Sequence, residues 1–115
     1  MRYPKRGEIF LVDFSPARGS EQRGARPALV VQNDIGNRVS STVIVCALTT
    51  TLKEYPINVV VKPGESGLPE TSAVNCSQIL TIDKTRLTRR VGRVSQAAMA
   101  RVDHALLVSL DLENP

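Results

Sequence analysis

The chain consists of short apolar runs, rich in β-branched residues, that are separated at short intervals by turn-forming residues. Such runs are typical of β-strands, and clusters of Gly, Pro, Asn and Asp are typical of the turns between them. The predicted strands are Glu8–Phe14, Pro27–Gln32, Thr42–Leu48, Ile57–Lys62, Thr71–Ile82 with a bend near Gln78, and a short sixth over Arg90–Val94. The predicted breaks are Ser15–Pro27, Asn33–Asn37, Thr49–Glu54 and Pro63–Pro69.

One segment near the end follows a helical period instead. Ser95 stands where a helix N-cap is expected, because its hydroxyl can accept a hydrogen bond from a free amide of the first turn. Apolar residues then recur at three- and four-residue steps, which predicts one buried stripe. That stripe consists of Met99, Val102, Leu106 and Leu110. The sequence therefore predicts a single domain over residues 1–115, mainly β with a C-terminal helix, folded as a small, partly open antiparallel barrel.

The charge of the chain favours polyanionic partners. Its net charge is +4 and its isoelectric point is near 9.5, which fits nucleic acid, anionic lipid or an acidic protein segment. Charge alone does not choose among these classes. No apolar stretch follows the first residues, and no apolar run approaches the roughly 20 residues that span a bilayer. We therefore expect a cytoplasmic protein with no membrane partner.

Several kinds of catalytic site require residues that this chain has too few of. The single histidine, His104, excludes two-histidine acid–base pairs and histidine-rich metal centres. The acidic residues lack the local spacing of a two-metal site, and glycine-rich nucleotide motifs are absent. Cys46 and Cys76 lie far apart in apolar surroundings, which favours two buried, reduced thiols over a disulfide. We expect neither a metal nor a cofactor.

The long break over Ser15–Pro27 is the strongest candidate for a functional loop, because loops of this length are uncommon unless they have a function. With the hydroxyl run Thr49–Thr51, it offers glycines, arginines and hydroxyls that suit a phosphate. Arg26 is the best-placed arginine, since Pro27 restricts its backbone to extended conformations at the entry of a strand. From position alone, the preferred interpretation is that the arginines of this loop are solvent-exposed charges without a catalytic role.

Five sequence blocks stand in a fixed order along nearly the whole chain. They are Arg6–Phe14 leading to Pro16, Gly19–Gln22, Arg26–Asp34, Val43–Thr49, and Gln78–Lys84 followed by Arg86 and Leu87. In these blocks the chain resembles the MazF/PemK-type toxins of bacterial toxin–antitoxin systems. The resemblance implies a dimeric SH3-like barrel that cleaves single-stranded mRNA at a short sequence without metal, leaving a 2′,3′-cyclic phosphate and a 5′-hydroxyl. It also implies that the protein inhibits translation and growth and that a cognate MazE-like antitoxin neutralises it. The protein would then contact operator DNA only through that antitoxin.

The resemblance also implies roles for three residues. The family's catalytic arginine corresponds to Arg26 and its threonine to Thr49, while Glu21 belongs to the loop motif that supports the site. Arginine stays protonated in essentially any protein site. Arg26 is therefore expected to stabilise negative charge, with proton donation to the leaving 5′-oxygen as a further role. For Glu21, orienting Arg26 is favoured over accepting the 2′-proton, and both roles stay open.

The predicted RNA contacts are polar groups that can bond to unstacked bases. The set is Arg18, Gly19, Ser20, Gln22, Asn33, Thr50, Asn75, Ser77 and Gln78. Some plasmid-borne relatives place an Arg and an Asp, with catalytic roles, just ahead of the glutamine that matches Gln78. Because this chain has Asn75 and Ser77 there, we expect the Arg–Thr mechanism, with those two residues limited to RNA contact. Tyr3 and Tyr55 are possible stacking faces, whereas Phe10 and Phe14 are expected in the core.

Two other functions stay open. Gyrase-poisoning toxins of the CcdB type share the predicted architecture without nuclease activity, but their C-terminal Trp-Gly-Ile signature is missing from a chain that has no tryptophan. A non-catalytic RNA-binding module would carry the same basic surface. Cleavage of RNA distinguishes the nuclease from both.

Overall fold

The computed structural model describes residues 3–14, 25–53 and 55–114, and this part of the chain folds as a six-stranded antiparallel sheet with a C-terminal helix. The strands are β1 Glu8–Asp13, β2 Ala25–Val30, β3 Thr42–Thr49, β4 Asn58–Val61, β5 Ser72–Asp83 and β6 Leu87–Arg93. The helices are α1 Asp34–Val39, α2 Pro63–Ser66 and α3 Gln96–Ser109, and a 3-10 turn over Lys84–Arg86 joins β5 to β6. The strand order is β4-β5-β3-β2-β1-β6, an open sheet. The predicted fold class is confirmed.

The sheet buries apolar residues on both of its faces, because side chains alternate along each strand. The first core lies between the sheet and α3 and includes Ile9, Leu29, Cys46, Leu48, Val74 and Val102. The second core, on the other face, consists of Val12, Ala28, Val30, Val43 and Val45. The predicted core residues Phe10 and Phe14 are half-buried and pack against this second core. No helix in the described ranges is long and apolar enough to cross a membrane.

The C-terminal helix begins where the sequence predicts. The Ser95 hydroxyl accepts a hydrogen bond from an amide of the first turn of α3. Val102 is fully buried, and Met99 and Leu106 are half-buried against the first core. The prediction for Leu110 is wrong, because this residue lies beyond the last turn of α3 and is 56% exposed.

Two of the predicted turns contain short helices. The break over Asn33–Asn37 holds most of α1, and the Asn33 side chain caps that helix by accepting a hydrogen bond from the Gly36 amide (2.8 Å). The break over Pro63–Pro69 holds α2, which begins at the proline. In both places the residues that favour turns also favour the first residues of helices. Composition therefore predicts that the strand ends there but does not predict the short helix that follows.

Strand boundaries differ from the prediction at two places that matter for the site. β2 begins at Ala25, so Arg26 belongs to the strand and not to the end of a loop. β6 begins at Leu87, three residues before the predicted start at Arg90. The predicted irregularity in β5 near Gln78 is confirmed as a shift of register against β3.

Arg6, the first residue of the first matched block, ties four parts of the fold together. Its amide donates to the Asp34 carboxylate on α1 (2.8 Å), and its side chain donates to the Val31 carbonyl (2.8 Å) and to Asp103 on α3 (2.7 Å). The bond from the Arg6 amide lowers the pKa of Asp34. This corner therefore fixes α1 and α3 relative to the N-terminal turn.

The two cysteines are fully buried, free thiols, as predicted. A hydrogen bond with the Cys76 thiol, together with burial, raises the pKa of Cys46. A thiol with a raised pKa stays protonated at neutral pH and is a poor nucleophile. Cys46 therefore serves packing of the first core.

Gly92 in β6 passes so close to α2 that a larger residue does not fit. A Cβ atom at this position would lie 2.3 Å from the Ser66 carbonyl oxygen. We expect Gly92→Ala to lower the free energy of unfolding by roughly 2–3 kcal/mol, since backbone atoms must move apart. Gly64→Ala is the matched control, because a Cβ there meets no atom within 4 Å. Urea unfolding at fixed protein concentration compares the variants, and wild-type stability of Gly92→Ala would contradict this packing.

Candidate active site

Arg26 and Thr49 lie at the same end of the sheet on neighbouring strands. β2 and β3 pair with Ala28 opposite Ala47. The observed pairing ends at these two residues. Extended by two residues toward the strand ends, the same register sets Arg26 opposite Thr49, so their side chains share a face of the sheet. Arg26 is exposed and Thr49 is half-buried. The strand pairing therefore joins two residues that are 23 positions apart in the sequence.

Buried apolar residues on the neighbouring strands β1 and β5 flank Arg26 and Thr49. Val12 of β1 is in register with Arg26, and Ala73 of β5 is in register with Thr49. Both apolar residues are fully buried. The Arg26 side chain forms no hydrogen bond or ion pair with the described part of the chain. Its guanidinium is thus a charged group on a rigid base that is available to an anion.

The Thr49 hydroxyl is oriented by the backbone that follows it. Its oxygen accepts a hydrogen bond from the Thr51 amide (3.1 Å). A hydroxyl has one proton to donate and accepts through its lone pairs. The proton therefore remains available to a ligand oxygen. Thr50, between the two, is exposed.

A polar bulge in β5 lies beside the last residues of β3. Cys46 pairs with Ile79 and Leu48 pairs with Val74, so Ala47 alone faces the four residues 75–78. Three of these four are the predicted RNA contacts Asn75, Ser77 and Gln78. The Asn75 side-chain oxygen accepts hydrogen bonds from the Ser77 amide (3.0 Å) and hydroxyl (2.5 Å). The fold thus brings these three residues together near Thr49.

Asn58 of β4 is a polar residue at this bulge that the sequence analysis did not single out. It is in register with Asn75, and its side-chain nitrogen donates to the Lys53 carbonyl (3.3 Å). Its side-chain oxygen is buried and has no hydrogen-bond partner within the described ranges. A buried acceptor without a partner is uncommon, and water or a ligand can supply the missing donor. The signal in the sequence was an asparagine inside an otherwise apolar strand.

Among the described residues, the predicted RNA contact Asn33 is not brought to this place. Asn33 lies beyond the far end of β2, and its side-chain oxygen is occupied as the cap of α1. Tyr3 and Tyr55 are 37% and 53% exposed, on separate segments. The loop residues Arg18, Gly19, Ser20, Glu21 and Gln22 lie outside the described residues.

Similarity to characterised proteins extends over almost the whole chain. The family of PemK-like, MazF-like toxins of type II toxin–antitoxin systems matches residues 5–110. The chain is 44% identical over 110 residues to the endoribonuclease EndoA of Bacillus subtilis (strain 168), an alignment that covers 94% of this chain and 95% of that protein. The chain therefore belongs to the PemK/MazF family of toxins, as the resemblance in its sequence blocks predicts.

Two solved structures of mycobacterial endoribonucleases share the fold. One superposes with a TM-score of 0.83 at 32% sequence identity and covers 100% of this chain and 98% of its own. The other, solved in complex with its cognate antitoxin, has a TM-score of 0.83 at 33% identity and covers 97% of this chain and 99% of its own. These similarities confirm the predicted MazF-like fold.

Proposed function

We propose that this protein is a sequence-specific endoribonuclease toxin that cleaves single-stranded mRNA without a metal, with Arg26 and Thr49 as its catalytic residues. The observation that carries this proposal is the β2–β3 pairing, which ends at Ala28 and Ala47 and, extended by two residues, sets the exposed Arg26 opposite the oriented Thr49 hydroxyl. Endoribonuclease activity of the 44% identical relative supports the reaction class.

The reaction begins with attack of a 2′-hydroxyl on the adjacent phosphorus, which forms a 2′,3′-cyclic phosphate and releases a 5′-hydroxyl. Negative charge then grows on the non-bridging oxygens. Arg26 binds these oxygens as a cation and supplies a proton to the leaving 5′-oxygen. The proton that the 2′-hydroxyl loses replaces it, so that Arg26 is charged again when the step ends. The Thr49 hydroxyl donates a second hydrogen bond to the same phosphate, since the Thr51 amide already occupies its oxygen. Glu21, which lies outside the described residues, is proposed to orient Arg26, and accepting the 2′-proton is the alternative role.

Selection of the cleaved sequence is assigned to the bulge in β5. Asn75, Ser77 and Gln78 offer amide and hydroxyl groups to the edges of unstacked bases. Asn58 adds an acceptor oxygen that has no partner among the described residues. The remaining contacts proposed from the sequence are Thr50 and, outside the described residues, Arg18, Gly19, Ser20 and Gln22. Asn33 is not included, because it lies beyond the far end of β2 as the cap of α1.

The active form is proposed to be a homodimer that pairs through the second-core face. Leu80 on this face is 38% exposed, and Phe10, Ile82 and Leu87 are only half-buried. In a single copy of the chain, an open groove of about 550 Å³ lies beside Phe10 and Leu87 on this face. Burial of such apolar area is the usual driving force for stable dimers.

Inhibition by a cognate antitoxin, in the cytoplasm, completes the proposal. The solved complex of a 33% identical relative with its antitoxin supports this partner class. An acidic antitoxin tail that lies across the basic RNA surface would block access to Arg26. An antitoxin that bound far from Arg26 and left RNA access open would contradict this mode of inhibition.

The test is incubation of the purified protein with a long single-stranded RNA in EDTA, followed by mapping of the ends. We expect discrete cuts within one short sequence, with 5′-hydroxyl ends. Intact RNA that is nonetheless bound would identify a binding module. Trapping of a topoisomerase on DNA would identify a gyrase poison instead.

A further inference from the structure

Asn75 is a polar residue of β5 on the same face of the sheet as Thr49. Ala73 of β5 pairs with Thr49 of β3. β5 pairs regularly with β4 from Ser72 to Asn75, and side chains alternate along a regular strand, so Asn75 shares the face of Ala73 and Thr49. The Cα atoms of Asn75 and Thr49 are one strand spacing and two residues apart, roughly 8 Å in all. Asn75 thus lies beside the proposed phosphate site.

The backbone on both sides of Asn75 is held in place. Val74 is paired with β3 and with β4 and is fully buried. The Cys76 amide donates to the Ile57 carbonyl (2.9 Å), and Cys76 is also fully buried. Asn75 is half-buried between these two anchors. Its side chain therefore starts from a rigid base, which precise recognition of a ligand requires.

The carboxamide of Asn75 is fixed in one orientation by Ser77. Its oxygen accepts hydrogen bonds from the Ser77 amide (3.0 Å) and the Ser77 hydroxyl (2.5 Å). A backbone N–H only donates, so the atom that meets it is the oxygen and not the nitrogen. The Asn75 Nδ2 forms no hydrogen bond with the described residues, and the Asn58 side-chain oxygen opposite accepts none from it. Asn75 is therefore a pre-oriented donor.

The other polar residues of the bulge are less suited to selecting a base. The Ser77 hydroxyl gives its proton to Asn75. Gln78 is exposed and forms no hydrogen bond with the described residues, so nothing in this part of the chain fixes its orientation. Selection depends on groups whose orientation is set before the ligand binds. Asn75 is the residue of the bulge that meets this condition.

We infer that Asn75 determines which base is accepted at one position of the cleaved sequence, with Ser77 as its positioning residue. The inference rests on the proposed function and deepens it. Asparagine reads adenine through its oxygen and its nitrogen together. That mode is closed here, because the Asn75 oxygen already accepts two hydrogen bonds. A group that only donates fits a base that presents an acceptor.

The class of base that fits is a keto base. Uracil and guanine present a carbonyl oxygen at the position where cytosine and adenine present an amino group. The oxygen accepts from the Asn75 Nδ2, whereas an amino group would set donor against donor. We therefore expect uracil over cytosine, or guanine over adenine, at one position next to the cleaved bond.

The test measures kcat/KM on oligonucleotides with the mapped sequence in which keto and amino bases of the same ring size are exchanged at each position in turn. Wild-type protein should prefer the keto base by about tenfold or more at one position. Asn75→Asp turns the donor into an acceptor and keeps an oxygen for Ser77. It should lower that ratio to about one or less, with the ratios at other positions within about twofold of wild type.

The positioning role is tested by Ser77→Ala, which removes one of the two hydrogen bonds that fix the carboxamide. We expect the base ratio at the same position to fall about threefold. Thermal unfolding should not change, because Ser77 is exposed. Ser77→Thr restores the hydroxyl and should restore the ratio. These two variants carry the test even where Asn75→Asp does not fold.

The matched control is Gln96→Glu, the same exchange of an amide for a carboxylate at an exposed position of α3. Because α3 packs on the first core, on the face of the sheet opposite to Thr49, the base ratios should not change. Unchanged ratios in the Asn75 and Ser77 variants would overturn the inference. An equal loss for both bases would also overturn it, because Asn75 would then contact a phosphate. Both results leave the proposed nuclease intact.

Binding separates failure of the inference from failure of the proposed function. The Kd values of the same oligonucleotides are measured with Arg26→Ala, alone and combined with Asn75→Asp. A keto preference in Kd that Asn75→Asp abolishes would support base reading without any need for cleavage. If wild-type protein then failed to cleave RNA, only the proposed function would be overturned.

Discussion

Arg26→Ala is expected to lower the single-turnover rate of RNA cleavage by about three orders of magnitude or more. The guanidinium is the positive charge that the proposed mechanism sets against the growing charge on the phosphate. Because its side chain is exposed and forms no hydrogen bond or ion pair with the described residues, its removal should leave the stability of the protein unchanged. Rapid-quench assays with a labelled RNA that contains the mapped cleavage sequence measure this rate.

Two controls separate loss of chemistry from loss of structure. The thermal unfolding and the dimerisation of Arg26→Ala should match those of the wild type. Arg26→Lys keeps the charge but loses the planar pair of donors, so we expect an intermediate rate. Near-normal cleavage by Arg26→Ala would mean that another group carries the charge stabilisation.

Thr49→Val is expected to lower the cleavage rate by about two orders of magnitude, which is the usual effect of losing one neutral donor to a developing oxyanion. Valine has nearly the shape of threonine, so packing at the end of β3 should survive. Thr49→Ser should keep most of the activity, since serine supplies the same hydroxyl and can accept the same bond from the Thr51 amide. The single-turnover rate at saturating RNA reports the change.

The matched control for the threonine is Thr51→Ala, which removes a neighbouring exposed hydroxyl and keeps the amide that orients Thr49. We expect it to cleave at close to the wild-type rate. A large loss in Thr51→Ala, with little loss in Thr49→Val, would transfer the donor role from one hydroxyl to the other.

The architecture was predictable because its signals are local. Turn-forming residues mark most strand ends, and the Ser95 cap with its periodic apolar residues marks α3. The predicted boundaries of elements are wrong where one residue type favours two structures. Asn33 suits a turn and a helix cap equally well, so α1 was predicted as a break.

The candidate site was less accessible to sequence reasoning, because it depends on pairing between distant strands. Arg26 and Thr49 are joined by the β2–β3 register, which no local pattern encodes. Only the family resemblance named them together. The Asn58 side-chain oxygen, which has no partner among the described residues, is likewise a property of packing that the sequence does not show.

The pairing of charges is a third property that the sequence does not show. The arginines of β6 are visible in the sequence, but overall charge does not say which cations are neutralised. Arg90 pairs with Glu8 of the neighbouring strand, while Arg89 and Arg93 form no ion pair with the described residues.

The central claim, cleavage by attack of the 2′-hydroxyl at Arg26 and Thr49, is tested most directly with one altered substrate. An oligonucleotide that carries the mapped sequence with a single 2′-deoxy nucleotide on the 5′ side of the cleaved bond lacks only the attacking group. Its cleavage in EDTA is compared with that of the all-ribose oligonucleotide. We predict no cleavage of the deoxy substrate while its binding persists. Cleavage at a comparable rate would contradict the mechanism, because a water molecule and not the 2′-hydroxyl would then be the nucleophile.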